Sequence, residues 1–94
     1  MQFTLITLTY KKPLNDIDRY KKAHSTHLQQ FYDQGLIYFS GPLKPRTGGF
    51  ILAQALDEDL LEKLVKQDPF YIHDLADYHI QHCSASKVSL QMKS

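Results

Sequence analysis

The stretch KKAHSTHLQQF, residues 21–31, carries two imidazoles three positions apart, His24 and His27. Histidine is the side chain whose ordinary titration lies nearest neutrality, so either ring is a candidate general acid or base. A carboxylate on one ring nitrogen fixes the tautomer and leaves the other nitrogen free to take or give a proton. The candidate for that carboxylate is Asp68, in QDPF. The same aspartate, followed by Pro69, has the form of a helix N-cap and first-turn pair, and one carboxylate can serve both roles. Two histidines at this spacing also raise metal binding, but no neighbouring carboxylate or cysteine completes a recognisable ligand set, so no metal is expected. His73, His79 and His82 are scattered over a turn and a strand and are assigned no role.

The helix that must carry the two rings spans 16–34, with Ile17, Tyr20, Leu28 and Phe31 at helical spacing and Gly35 as the stop. At about 100° per residue, His24 falls almost on the centre of this apolar stripe. His27 falls roughly 60° away, at the stripe's edge, with an easier route to solvent. A ring aimed at the core needs polar partners, because unpaired buried polar groups are costly. His24 therefore asks for one. Without further information, a core histidine whose polar atoms are merely satisfied is as good a reading as a catalytic one.

The remaining elements follow from pattern. QFTLITLTY (2–10) is a β-branched and aromatic strand, and KKPLND a turn into the helix with Asn15 and Asp16 as helix-starting candidates. LIYFS (36–40) and FILAQA (50–55) form a hairpin around the loop 41–49, which has two prolines and three glycines. Asp57 caps a second helix ending near Gln67, DPFYIHDL makes a short helical turn, and ADYHIQHC (76–83) alternates as a fourth strand. The order β-α-β-β-α-β predicts an α+β, ferredoxin-like arrangement: a four-stranded antiparallel sheet with two helices on one face. One domain over 1–83 and a C-terminal tail, 84–94, are expected.

Strand one is apolar on both phases, Phe3 and Leu5 against Ile6, Leu8 and Tyr10, and the second and third strands are similar. A sheet with one wet face alternates instead, so both faces are expected to be covered. With no third long helix in the chain, a second copy is the expected cover, giving a homodimer with sheets face to face. At 94 residues, only roughly 60–65% of the unfolded surface is buried on folding, which also favours a partner subunit. Eleven basic and ten acidic residues, a formal net charge of +1, provide no basic stripe, so neither nucleic acid nor a membrane surface is an expected partner. The apolar start lacks a basic leading segment and cleavage site and is shorter than a span. With a single cysteine, Cys83, the reading is a cytoplasmic protein.

His24, Gly35, Gly41-Pro42, Gly48-Gly49 and Asp68-Pro69-Phe70 occur in an order and spacing that resembles the YCII (YciI-like) family, over residues 3 to about 83. The resemblance implies a dimeric α+β barrel with a His-Asp pair as its proposed active site, on His24 and Asp68. One branch of the family contains a dehydrochlorinase acting on a chlorinated, hydroxylated aromatic. The interval to Gly35 places the family histidine on His24; His27, though followed by Leu28, falls on a position the family does not fix. Ser25 stands where the family usually has an apolar residue. Asp74 stands where many members carry glycine, a change expected to touch a loop near the site.

The resulting expectation is a small cofactor-free lyase or isomerase, in which His24 moves a proton on a cyclic or aromatic organic acid or phenol and Asp68 orients it. Ser40, Gly41, Pro42, Gly48 and Gly49 are expected to line the substrate cavity, with Phe70 and Tyr38 as aromatic walls. The alternatives are a non-catalytic ligand-binding or accessory dimer and a cofactor-independent oxygenase, since fold does not fix function.

Overall fold

The computed structural model describes residues 1–89 and Met92. Its elements are β1 (Gln2–Tyr10), α1 (Leu14–Asp33), β2 (Ile37–Pro42), β3 (Gly48–Gln54), α2 (Glu58–Lys66), α3 (Pro69–Ile72) and β4 (Ala76–Ser84). The strands form one antiparallel sheet in the order β2-β3-β1-β4. The two longer helices pack on one face, the ferredoxin-like arrangement. The core lies between helices and sheet, where Ile6, Leu8, Ile17, Leu28, Ile51, Leu64 and Phe70 are all nearly inaccessible.

Local signals set most boundaries. Gly35 ends α1 at φ 72°, a left-handed conformation that glycine adopts without a Cβ penalty. Asp57 caps α2 by accepting from the Leu60 N–H at 2.8 Å. The start of α1 differs from expectation: Pro13 is the N-cap, with no side-chain cap, and Asn15 and Asp16 lie inside the first turn. The hairpin loop is also shorter than its composition suggests. Gly41, Pro42, Gly48 and Gly49 belong to strand ends, because two glycine-bearing strands approach closely and continue their pairing to Pro42↔Gly49. Gly48 is where that closeness is absolute, since a Cβ there would lie 1.8 Å from the Leu8 carbonyl oxygen. Ser84, placed in the tail by the sequence pattern, instead closes β4 opposite Gln2. The remainder of the expected tail is only partly covered, as 90, 91, 93 and 94 lie outside the described residues.

Register shows how the two phases of β1 are used. Thr4, Ile6 and Leu8 are buried beneath the helices, whereas Phe3, Leu5 and Thr7 are only half-buried on the opposite face. Leu5 pairs with Leu52, Thr7 with Phe50 and Phe39 with Leu52, so these side chains share that face. Phe39 is 49% exposed there. Along β4 the same phase carries Asp77, His79 and Gln81. The open face is thus apolar over β2, β3 and β1 and polar along the β4 edge. No described helix is long and apolar enough to cross a membrane.

Candidate functional site

Asp68 sits between α2 and α3 and is fully buried. Its carboxylate caps α3, accepting from the Phe70 N–H at 3.0 Å. The His24 Nδ1–H donates to it from across the fold, at 2.8 Å and 2.9 Å to the two oxygens. The two roles weighed for Asp68 therefore coexist on one group. A third donor, the Tyr78 hydroxyl of β4, reaches Oδ2 at 2.6 Å. Burial and the adjacent carboxylate both push the Tyr78 phenol far above its ordinary value, so it stays a donor throughout the working range.

The His24 ring is thereby held on two sides. Asp68 takes Nδ1, and Phe70 stacks on the ring face with centroids 4.0 Å apart and planes within 1°. With Nδ1 donating to an acceptor-only carboxylate, neutral His24 presents Nε2 as an acceptor. Nε2 has no hydrogen-bond partner among the described residues, and the ring, 18% exposed, lines a cavity of about 310 Å³. That volume lies at the small end for organic-molecule sites. A larger trough of about 1020 Å³ runs along α2 and β4, but it is open and lined by charges of both signs. The smaller cavity is the candidate site because it alone holds an oriented imidazole.

The cavity brings together most of the expected lining residues: Ser40, Gly41, Pro42, Gly49 and Phe70 all contribute. Two do not. Tyr38 occupies the irregularity where register shifts between Ile37 and Phe39, and it is 42% exposed outside the cavity walls. Gly48 is buried against β1, where it permits strand contact. Asp74 takes φ 55°, a left-handed conformation that aspartate tolerates better than most residues, in the turn that follows α3; its side chain pairs with Lys11 and lines the trough rather than the His24 cavity.

His27 departs most from the sequence reading. It is not at a solvent-facing rim: it is 8% exposed, more buried than His24, and its Nε2–H donates to the Leu64 carbonyl at 2.8 Å. α1 packs against α2 as well as the sheet, which widens its buried arc beyond a single apolar stripe. His27 faces α2 and ties the two helices together.

Several residues in or beside the site had no sequence signal. Tyr78 reads as one apolar position of an alternating strand. Tyr32 on α1, whose hydroxyl is 2.6 Å from Ser40 Oγ, reads as part of a helix. Lys21 and Arg46 also contribute to the walls, and Arg46 is held by Asp18 at 2.7 Å. The folded arrangement of α1 against the β2-β3 connection brings Lys21, Tyr32 and Arg46 together, and the pairing of β4 beside β1 brings Tyr78 to Asp68. Among the described residues, no three His, Cys, Asp or Glu side chains cluster as a metal-ligand set.

Among curated proteins, none matches the sequence significantly. Among solved structures, the fold is similar to that of 5-chloro-2-hydroxyhydroquinone dehydrochlorinase (TftG) from Burkholderia phenoliruptrix AC1100, determined in complex with 2,5-dihydroxybenzoquinone. The TM-score is 0.72, the likeness covers 89% of this chain and 94% of that one, and the identity is 21%. At that identity the comparison speaks for the fold. The profile of the YCII-related domain matches residues 1–84, so nearly the whole chain is accounted for by one family. This chain belongs to the YCII-related family.

Proposed function

We propose that the chain is a small cofactor-free enzyme, a lyase or isomerase, that moves a proton on a cyclic or aromatic organic molecule. The observation that carries this reading is the His24 ring: Nδ1 is tied to buried Asp68, and Nε2 has no partner among the described residues on a ring that lines a small cavity. In this mechanism Nε2 accepts a proton from a ring carbon or hydroxyl of the substrate. The resulting imidazolium is stabilised by the Asp68 carboxylate. In an isomerase the proton returns to a different atom. In a dehydrochlorinase, chloride leaves with the carbon–chlorine bonding pair while His24 holds the proton, so no oxidant or reductant enters. The similar structure is that of a dehydrochlorinase bound to a small quinone, which supports the size and chemical class proposed here.

The reading includes a homodimer in a reducing cytoplasm, with the apolar half of the open sheet face as the interface. Phe3, Leu5, Phe39, Phe50 and Leu52 supply the apolar surface, and burying it is worth about 25 cal/mol per Å². A monomer in sedimentation at micromolar concentration contradicts that part.

The test of the chemistry is His24→Ala against the parent protein on chlorinated hydroxyhydroquinones, lactones and keto acids, with oxygen uptake followed in parallel. A positioned acid-base group contributes on the order of 100- to 10,000-fold, so turnover of the true substrate falls by that range. Oxygen uptake during turnover points instead to a cofactor-independent oxygenase. A panel on which the two proteins behave alike sinks the catalytic reading and leaves a ligand-binding or accessory dimer.

A further inference from the structure

The cavity's charges are distributed in a way that the composition hides. Basic and acidic residues nearly balance along the chain. Among the described residues, the walls of the cavity nevertheless include Lys21, His24 and Arg46 and no carboxylate. Asp68 is not an exception, since it is fully buried behind His24 and saturated by three donors. Asp18 lies outside the walls, but it pairs with the Arg46 guanidinium at 2.7 Å and also feels Lys21, so the three groups leave one net positive charge at the mouth. Glu58, Glu62, Asp74 and Asp77 line the separate trough. Lys21 and His24 are one helical turn apart on α1, so cation and imidazole project along the same face. Around them the surface is apolar, with Leu28, Ile51 and Phe70.

We infer that the cavity selects anions. Its substrate is a small ring bearing a carboxylate, or an acidic enol or phenol ionised at neutral pH, with its charged end at Lys21 and Arg46 and its ring reaching His24. The inference rests on the proposed function for the site and adds the charge of the substrate and the residues that read it. An apolar pocket with few convergent polar groups gives orientation through those groups. Here they attract one sign of charge. The same cations favour proton removal by His24, because the extra negative charge develops beside them.

The test uses a matched pair of probes, 2,5-dihydroxybenzoate and its neutral amide, with binding followed by calorimetry at pH 7. The parent protein binds the acid at least tenfold more tightly than the amide. Lys21→Gln and Arg46→Gln each weaken the acid by about tenfold, from a charge pair at a partly solvated mouth, and leave the amide unchanged. Lys21→Arg keeps the preference, which separates charge from packing. Raising salt weakens the acid alone. Equal affinities for acid and amide, or a preference indifferent to both substitutions, overturn the inference and leave the ring-binding site standing. Binding of neither probe overturns it together with the reading of the cavity. Failure of His24 as a proton carrier is read in turnover and leaves these binding ratios untouched.

Discussion

Removing the Asp68 carboxylate is the most informative single perturbation, because three donors converge on one fully buried group. In Asp68→Ala, the Phe70 N–H loses its cap, which costs about 1 kcal/mol. The Tyr78 hydroxyl, 2.6 Å from Oδ2, is left without its acceptor, at about 1–3 kcal/mol. The His24 Nδ1–H loses its partner as well, but the ring is 18% exposed and water recovers part of that loss. The sum is about 3–5 kcal/mol, a large share of the roughly 5–15 kcal/mol available to a folded domain. Asp68→Asn is the control. Its amide oxygen still accepts from Phe70 and His24, and its NH₂ donates to the Tyr78 oxygen, which switches role. The expected cost is about 1 kcal/mol. Urea unfolding of both variants at one fixed protein concentration measures the difference; with an m-value of about 1–1.5 kcal/mol/M, the alanine midpoint falls by about 3 M. Nitrogen chemical shifts of His24 report the second consequence: the neutral ring is the Nδ1–H tautomer in the parent and a mixture in Asp68→Asn. An alanine variant within 1 kcal/mol of the parent refutes the claim that this carboxylate organises the site.

Three further outcomes follow from the same structure. His27→Ala removes the bond to the Leu64 carbonyl and a buried ring, destabilising by about 2–4 kcal/mol in urea while leaving the His24 tautomer unchanged; an unstable tautomer there contradicts the separation of the two histidines. Gly48→Ala forces β3 away from the Leu8 carbonyl and lowers stability by more than about 3 kcal/mol, and a near-neutral variant refutes the strand register at that point. The raised Tyr78 phenol carries a pH signature. Above pH 10 the unfolded chain ionises this tyrosine and the folded chain does not, so the folded state binds more protons. Stability contributed by Tyr78 is present below pH 10 and is lost at about 1.4 kcal/mol per pH unit above it. Unfolding curves of Tyr78→Phe between pH 10 and 11.5 are flatter than those of the parent by that slope; identical slopes show that Tyr78 is not held neutral.

Local sequence determined the order of elements and the stops and caps at Gly35, Asp57 and Asp68, while the choice of His24 over His27 as the ring that meets the carboxylate came from the helical repeat together with the family spacing to Gly35. The stops and caps rest on short-range rules: a left-handed turn and an N-cap hydrogen bond. What was not legible depends on packing between segments far apart in the chain. The burial of His27 came from α2 lying against α1 as well as the sheet, a second contact that one-stripe reasoning cannot include. Tyr78 joined Asp68 because β4 pairs beside β1, which carries the strand's phenol to the α2–α3 junction. Tyr38 left the site through a register shift whose cause lies in strand pairing rather than in strand composition. The charge of the cavity is likewise a tertiary property, since Lys21 and Arg46 are brought to one mouth by the placement of a helix against a hairpin. Hydrogen bonds within a turn are encoded by neighbours, whereas the surroundings of a buried carboxylate are set only when the whole sheet closes over it.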